Sequence, residues 1–325
     1  MKPCLKPFTT KLAIGAFTLG VSVCANAQTQ SRIIVGYPPG GALDAVARIL
    51  AERFSEALGR AFVVENRAGA AGTIGAEALK GAAADGSLLL VAPDSNISVH
   101  PHVTRKPTYH APTDFVAIAH AGEYRIALAV HAGVPAADIK SFVAHTKTLA
   151  APAGYGSPGA GTNVHFYGVL FSQVTGANMN HVPYRGTAPA LLDLVAGHIP
   201  AAMLPMGAML PQARAGKVRV LGQSGDARSP SLADAPTFKE AGLPMLAFSG
   251  WYGLFAPAGM KPDLVDRYNE LVVRAIRAPE IRERIRKFEL DLRELSATEF
   301  QAMVRVDHER WGPIIRNSGF TAASE

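Results

Sequence analysis

Short apolar strands, glycine turns and helices alternate along this chain, and the first such unit constrains the fold most. Residues 33–35 (IIV) form an apolar strand-like run, residues 38–41 (PPGG) end it, and apolar residues then recur at helical spacing up to residue 58. Repeated units of this kind favour an α/β fold with mainly parallel central sheets and helices on both faces. In such sheets ligands bind beyond the carboxyl ends of the strands, where residues 38–41 and 93–96 fall.

The turn at residues 38–41 places two glycines at the start of a helix. The first N–H groups of a helix have no partner within it and lie at the positive end of its dipole, so an anion can accept hydrogen bonds from them. Gly40 and Gly41 would let a ligand approach the backbone, because they have no Cβ. The turn is therefore a candidate site for a carboxylate or phosphate. The alternative is that it only connects a strand to a helix.

A second glycine-rich segment, AGYGSPGAG at residues 153–161, is expected to be a loop of the same kind. It precedes an apolar helical run, for which Thr162 or Asn163 is the expected N-cap. Ser157, Thr162 and Asn163 would add side-chain donors to the N–H groups of the loop. Two such helix starts, far apart in the sequence, could grip one anionic ligand from two sides.

The first 27 residues have the features of a secretory signal peptide. A basic segment precedes an apolar one at residues 12–23, and residues 25–27 (ANA) form a small-x-small cleavage site. The lysines of the basic segment are Lys2, Lys6 and Lys11. We expect cleavage after Ala27. Cys24 raises the alternative of a lipoprotein signal, but Val23 before it is bulkier than the residue such sites usually carry.

Loss of this segment would change the charge and the redox chemistry of the chain. Both cysteines, Cys4 and Cys24, lie in it, so the mature protein would have no disulfide and no thiol chemistry. The segment holds three lysines and no Asp or Glu, so the formal net charge would fall from +6 to +3. That small excess, without a Lys/Arg block, argues against nucleic acid or anionic lipid as a partner. About 300 remaining residues exceed what one compact core usually serves, so two domains are expected.

Four segments in order are YPPGGALDAVARILAERFSEALGRAFVVENRAGAAGTIGAEALKGAAADG, YGSPGAGTNVHF, HVPYRGTAPALLDLVAGHIPAAM and SGWYGLFAPAG. They resemble successive signatures of the Bug family, the periplasmic solute receptors of tripartite tricarboxylate transport systems. The resemblance implies a two-lobed periplasmic-binding-protein (type II-like) fold, located in the periplasm, with the ligand in the cleft between the lobes. It places lobe 1 at residues 28–125 and 253–325 and lobe 2 at residues 126–252.

The resemblance also implies which residues bind the ligand. In the first lobe they are Pro39, Gly40, Gly41, Asp44, Ser95 and Asn96. In the second lobe they are Ser157, Gly161, Thr162, Asn163, Gly186 and Thr187. For Asp44 the alternative is a carboxylate that caps or ties the loop, because a bare negative charge would repel an anion.

The chain departs from the family pattern at residues 202–206 (AMLPM), where many members have a Phe-Asp pair. Without that carboxylate a ligand ammonium would lack a charge partner. A mono- or dicarboxylate, aromatic ones included, is therefore expected rather than an amino acid. Leu204, with Met203, Met206 and Met209, would supply soft apolar surface to the ligand. The alternative is that the three methionines belong to the core.

Other chemistries have weaker support. The histidines at positions 100, 102, 110 and 120 lack a carboxylate or third ligand at a recognised metal spacing and are expected to be loop or solvent-facing residues. No Ser/His/Asp set is evident, so no catalytic residue is assigned, and no cofactor or metal is expected. The expected function is non-catalytic capture of a small carboxylate by a monomer that delivers it to the membrane subunits of a tripartite tricarboxylate transporter. The alternative is a periplasmic hydrolase or other enzyme on a two-lobed scaffold.

Overall fold

The computed structural model describes residue 1 and residues 30–104 and 106–320; the predicted cleavage site and both cysteines lie outside these ranges. The described strands are β1 (Ser31–Val35), β2 (Phe62–Asn66), β3 (Leu88–Pro93), β4 (Phe115–Tyr124), β5 (Ile126–His131), β6 (Ala153–Ser157), β7 (Met179–Pro183), β8 (Ala201–Pro205), β9 (Val218–Gln223), β10 (Gly250–Pro257) and β11 (Leu290–Asp291). The α-helices are α1 (Ala42–Leu58), α2 (Thr73–Glu77), α3 (His100–Val103), α4 (Ala111–Asp114), α5 (Ile139–Thr148), α6 (Asn163–Thr175), α7 (Thr187–Ala196), α8 (Met206–Arg214), α9 (Pro262–Arg277), α10 (Pro279–Arg286) and α11 (Ala297–Ser318).

The first sheet has the strand order β11-β4-β10-β3-β1-β2. Strand β1 pairs in parallel with β2 and β3, so that Ile33 lies opposite Val64 and Leu89. Strand β10 enters between β3 and β4 and runs antiparallel to both, with Leu254 opposite Val91. A strand from late in the chain therefore completes the middle of this sheet.

The second sheet has the order β7-β6-β8-β5-β9. Strand β6 is parallel to β7 and β8, whereas β5 is antiparallel to β8 and β9. The two-lobed α/β fold is confirmed, but both sheets are mixed rather than mainly parallel. The reason is that β5 and β10, by which the chain enters the second sheet and returns to the first, run against their neighbours.

The chain passes between the sheets twice. It leaves the first sheet at Tyr124 and enters the second at Ile126. It returns at Gly250, where β10 begins to pair with β4. Residues 250–252, predicted to belong to lobe 2, therefore lie in the first sheet, and the exact lobe boundaries stay a prediction.

Three clusters of buried apolar side chains hold these elements together. Successive residues of β1 face opposite clusters: Ile33 packs with α1, and Ile34 packs in the cluster of Trp251 and Phe300. Both faces of the first sheet are buried, which explains the uninterrupted apolar sequence of its strands. The largest cluster spans both lobes, since it also contains Leu128 of β5.

Local sequence signals set several helix ends. Helix α1 ends at Leu58, and its C-cap Gly59 has φ +63°, the left-handed conformation that glycine allows. Helix α11 begins with a capping box between Ser296 and Glu299. Among the helices of the described ranges, none combines the length and apolar character needed to cross a membrane.

Candidate functional site

The predicted ligand residues follow the carboxyl ends of parallel strands in both sheets. Strands β1, β2 and β3 end at one edge of the first sheet, and β6, β7 and β8 end at one edge of the second. Three helices begin just beyond these ends: α1 after Gly41, α6 after Thr162 and α7 after Gly186. Each helix start presents N–H groups that lack an intrahelical acceptor. The first three N–H groups of α6 are already bonded, to Ser95 Oγ, Asn163 Oδ1 and Thr162 Oγ1. The two edges therefore carry two potential anion-binding termini, those of α1 and α7.

Asp44 ties the first glycine turn to the helix that follows it. Its carboxylate accepts from the Gly40 N–H at 3.1 Å, from Arg48 Nε at 2.9 Å and from Asn66 Nδ2 at 2.9 Å. Burial would raise the pKa of Asp44, but the hydrogen bonds from Arg48, Asn66 and Gly40 outweigh it, so the pKa lies below its ordinary value. These contacts support the loop-tying alternative for Asp44.

The rest of the first turn is open. Pro39, Gly40 and Gly41 are exposed, and a Cβ added to either glycine would meet no atom within 4 Å. Gly40 has φ +94°, which an L-residue adopts only with strain. Because the Gly40 N–H is already bonded to Asp44, the free donors of this turn start at Gly41.

The second predicted loop is partly a strand. Residues 153–157 form β6, and the loop proper is residues 158–162. The glycines of β6 serve packing rather than turning, because a Cβ on Gly156 would lie 2.6 Å from the Ile199 side chain. The prediction of a loop is therefore wrong for residues 153–157, which form a glycine-rich strand.

The hydroxyls of Ser157 and Thr162 hold the backbone of this loop. Thr162 Oγ1 donates to the Gly159 carbonyl at 2.8 Å and accepts from the His165 N–H at 3.2 Å, which confirms Thr162 as the N-cap of α6. Ser157 Oγ lies 2.6 Å from His181 Nε2 and 3.3 Å from the Gly159 nitrogen. Both hydroxyls are buried and engaged within the loop.

The turn before α7 lies against the same loop. The Gly186 N–H donates to the Pro158 carbonyl at 2.9 Å, and Gly186 has φ +110°. Thr187, half-buried, is the first residue of α7. Gly161, with φ +73°, donates its N–H to His165 Nδ1 at 3.2 Å. The structure thus brings the predicted second-lobe residues together.

Ser95 and Asn163, predicted in different lobes, bond to each other. Ser95 Oγ lies 2.9 Å from Asn163 Oδ1, and Asn163 Nδ2 donates to Asp94 Oδ2 at 2.9 Å and to the Tyr124 hydroxyl at 2.8 Å. Burial raises the pKa of Asp94 well above its ordinary value, and the Asp307 carboxylate adds to the rise. The side chains of Ser95 and Asn163 therefore join the two lobes.

A strained turn that was not predicted as part of the site lies at the same edge. Ala70 and Ala71 have φ of 44° and 51°, a conformation that costs non-glycine residues free energy and tends to persist at functional sites. The Ala71 carbonyl accepts from the Tyr37 hydroxyl at 2.7 Å and from Asn96 Nδ2 at 3.0 Å. Asn96 therefore braces this turn. The available signal was the position of the glycine-rich residues 69–75 directly after β2.

Leu204 lies in the core and not at the open edge. It is fully buried with Met206, Met209 and Leu194 in the cluster between the second sheet and its helices α7 and α8. Met203 points to the opposite face of β8 and is equally buried. The prediction that these side chains line the ligand is therefore replaced by the core alternative. Met203 and Leu204 point to opposite, packed faces of β8, and Met206 and Met209 of α8 lie in the same cluster as Leu204.

The Ser157–His181 contact is a serine–histidine pair that the sequence did not reveal. His181 stacks on His165 with ring centroids 3.8 Å apart. Burial lowers the pKa of His181 to about 4, and burial together with His181 lowers that of His165 to about 3. A histidine with so low a pKa is a weak base near neutral pH. The pair accordingly serves to brace the loop.

The four histidines considered as metal ligands do not converge. His102 stacks on His308 with centroids 4.2 Å apart, and His100 stacks on Tyr109 at 4.7 Å. His120 is buried in β4, which corrects the expectation of a loop or solvent-facing residue. Over residues 30–104 and 106–320, no three His, Cys, Asp or Glu side chains are grouped as metal ligands.

A cavity of about 740 Å³ lies elsewhere, where the chain crosses between the sheets. Its arginines already pair with carboxylates: Arg125 with Asp291 at 3.2 Å and Arg310 with Asp307 at 3.0 Å. It contains none of the predicted ligand residues. The strand-end edges, with their helix termini, are therefore the better candidate for an anion.

Comparison with known proteins gives a consistent result. The sequence profile described as tripartite tricarboxylate transporter family receptor matches residues 46–320. Protein BugT of Bordetella pertussis is 29% identical over 313 residues, which cover 94% of this chain and 96% of that protein.

Two solved structures from Rhodopseudomonas palustris are also similar. MatC with bound malate is 27% identical, has a TM-score of 0.81 and covers 88% of this chain and 98% of its own. Rpa4515 with adipate is 27% identical, has a TM-score of 0.83 and covers 90% of this chain and 98% of its own.

Proposed function

The chain belongs to the tripartite tricarboxylate transporter receptor family, and we propose that it captures a small carboxylate between its lobes and delivers it to a membrane transporter. It is a solute-binding protein and not an enzyme. The observation that supports the proposed binding mode is the placement of two helix N-termini with open N–H groups, at Gly41 and Gly186, beyond the strand ends of the two sheets.

The proposed contacts are mainly backbone groups. Gly41 and the N–H groups that open α1 would hold the ligand from the first lobe, with Pro39 and Gly40 shaping the turn. Asn96 would brace the neighbouring turn at Ala71. Thr187 and the N–H groups that open α7 would hold it from the second lobe. Gly161 and Gly186 would shape the loops there, because their own N–H groups are already bonded. The larger polar side chains at these edges form the framework of the site. They are Asp44, Ser95, Ser157, Thr162 and Asn163.

The proposed ligand is a mono- or dicarboxylate, aromatic ones included. Malate and adipate, bound by MatC and Rpa4515, are both aliphatic dicarboxylates. The carboxylates nearest the edges are already engaged, since Asp44 bonds to Arg48 and Asp94 to Asn163. A ligand ammonium would therefore find no free charge partner, which favours a ligand without an amino group.

We further propose that the protein acts in the periplasm as a monomer after cleavage behind Ala27. The support is the lysine-rich, apolar and small-residue pattern of residues 1–27 together with the family membership. Mass spectrometry of the exported protein would test the cleavage site, and sedimentation would test the oligomeric state.

Residues 28–325 can be tested against malate, adipate, benzoate and the corresponding amides by thermal shift and calorimetry. At least one acid should raise the melting temperature, while its amide, which keeps the shape but lacks the charge, should not. No response to any carboxylate in a wider panel would contradict the proposed ligand class.

A further inference from the structure

Four buried polar residues meet where the two lobes touch. Asp94 and Ser95 follow β3 and Tyr124 ends β4 in the first lobe, whereas Asn163 begins α6 in the second. Asp94 and Asn163 are each only 1% exposed, and Ser95 and Tyr124 are 5% exposed. A polar group that is removed from water to this degree depends on its protein partners.

Asn163 has every hydrogen-bonding position of its side chain filled. Its Nδ2 donates to Asp94 Oδ2 at 2.9 Å and to the Tyr124 hydroxyl at 2.8 Å. Its Oδ1 accepts from Ser95 Oγ at 2.9 Å and from the Val164 N–H at 2.8 Å. An amide side chain offers two donor hydrogens and two acceptor lone pairs, so its capacity is complete.

Three of those four partners belong to the other lobe. Asp94 is held on its own side by the Tyr124 hydroxyl at 2.9 Å and the Ser95 N–H at 3.0 Å, which leaves Oδ2 for Asn163. Separating the lobes would remove three partners from Asn163 and one from Asp94 at once. The set therefore favours one particular arrangement of the lobes.

Apolar contact between the two lobes is of a different kind. Phe166 and Tyr167 of α6 pack on Trp311 of α11 with ring centroids 6.3 and 6.2 Å apart. Such packing attracts without strong direction, whereas hydrogen bonds to a buried carboxylate have a fixed geometry. The four hydrogen-bonded residues thus fix the position of one lobe relative to the other, which the aromatic contact does not.

We propose that Asp94, Ser95, Tyr124 and Asn163 form an interlobe latch that holds the two lobes closed before any ligand binds. The latch places the N-terminus of α6 against the first lobe, so a ligand meets a site that is already arranged. This role in capture rests on the proposed function, but the closure itself does not.

The latch can be tested on residues 28–325 without ligand. These residues contain no cysteine, so Ala144→Cys in α5 and Glu270→Cys in α9, both exposed, introduce one spin label in each lobe. Pulsed electron resonance then measures the interlobe distance. With the latch unmodified, the two labels should show a single interlobe distance. Asn163→Leu should add a second population in which this distance is longer.

Two further variants separate the latch from general destabilisation. Asn269 is also buried and donates to two carbonyls, those of Ile118 and Leu295, but all three residues lie in the first lobe. Asn269→Leu should therefore lower the melting temperature and leave the distance unchanged. The double variant Asp94→Asn with Asn163→Asp exchanges donor and acceptor and should restore the short distance.

The proposal is overturned if Asn163→Leu folds and keeps the single short distance, or if the exchanged pair is as open as Asn163→Leu. If Asn163→Leu does not fold, Tyr124→Phe with Ser95→Ala removes two partners of Asn163 without adding bulk. This variant should broaden the distance distribution, and an unchanged distribution would equally overturn the latch. Because no ligand is used, these outcomes are independent of whether malate, adipate or any other carboxylate binds.

Discussion

The backbone N–H of Gly40 donates to the carboxylate of Asp44, 3.1 Å away and four residues later in the chain. Asp44 is only 4% exposed, and its carboxylate also accepts hydrogen bonds from the side chains of Arg48 and Asn66. Asp44→Ala should lower the free energy of unfolding by about 1–3 kcal/mol, because Gly40, Arg48 and Asn66 lose an acceptor that they share. Urea denaturation measures this. Glu56→Ala, which removes an exposed ion pair, is the control and should cost less than about 1 kcal/mol.

Substitutions at Gly40 and Gly41 should separate backbone strain from obstruction of the ligand. Gly40 has φ +94°, whereas Gly41 has φ −84°, and both have open space at the Cβ position. Gly40→Val should lower stability and binding together, while Gly41→Val should keep its melting temperature and weaken carboxylate binding. Calorimetry and thermal melts measure both. Normal binding by a folded Gly41→Val would remove this turn from the site.

Thr162→Ala should act through the helix cap. Thr162 Oγ1 caps α6 by accepting from the His165 N–H and also bonds to Gly159, so its loss should lower stability by about 1–2 kcal/mol. Thr162→Ser keeps the hydroxyl and should therefore retain most of the stability that the cap contributes. Denaturant midpoints give the comparison, and a threonine-to-alanine change without loss of stability would contradict the capping role.

Stability should fall on acidification because of His120. Burial lowers the pKa of His120 from 6.5 to about 4, and the positive charge of Arg293 makes a smaller contribution in the same direction. Between these values the unfolded chain binds a proton that the folded chain excludes, so this contribution is complete above pH 6.5 and declines towards pH 4. The decline amounts to about 3 kcal/mol.

His120→Leu isolates this contribution from other titrating groups. Both ring nitrogens of His120 lack a hydrogen-bond partner within the described structure, so leucine removes a buried polar cost as well. Urea denaturation at pH 7.5 and pH 5 should show a smaller stability difference for the variant than for the unmodified protein. Equal differences would mean that His120 is protonated in the folded state.

Succinate should bind more tightly than aspartate. The two differ by an α-amino group, whose ammonium would lose water without gaining a charge partner near Asp44 or Asp94, since both carboxylates are engaged. Competition thermal shifts with matched concentrations decide the order. A preference for aspartate would exclude the proposed ligand class while leaving the receptor family unaffected.

Features that depend on neighbours in sequence could be predicted. The start of α1 after the PPGG turn, the N-cap Thr162 and the capping box at Ser296 each follow from a few adjacent residues. The two-lobed architecture came from the family resemblance. Strand direction could not be predicted locally, because the pairing of β10 with β3 joins segments far apart in the chain.

The sequence predicted most residues of the site but not the contacts that each of them makes. Ser95 and Asn163 lie at the predicted edges, yet they bond across the lobes, a contact between residues 68 positions apart. Leu204 was misplaced because a strand residue can face either a cleft or a core, and the sequence of β8 is apolar on both faces. Ala71 carries no side-chain signal at all, since its carbonyl makes the contacts.

The position of β10 between β3 and β4 also sets the order in which the protein can assemble. All five strands of the second sheet leave the ribosome before β10 does, so that sheet can form while the first still has a gap. Until β10 arrives, β3 and β4 each present an unpaired strand edge that is open to mispairing. Completion of the first lobe is consequently a late event in biogenesis, and chaperones that shield nascent strand edges would act on β3 and β4.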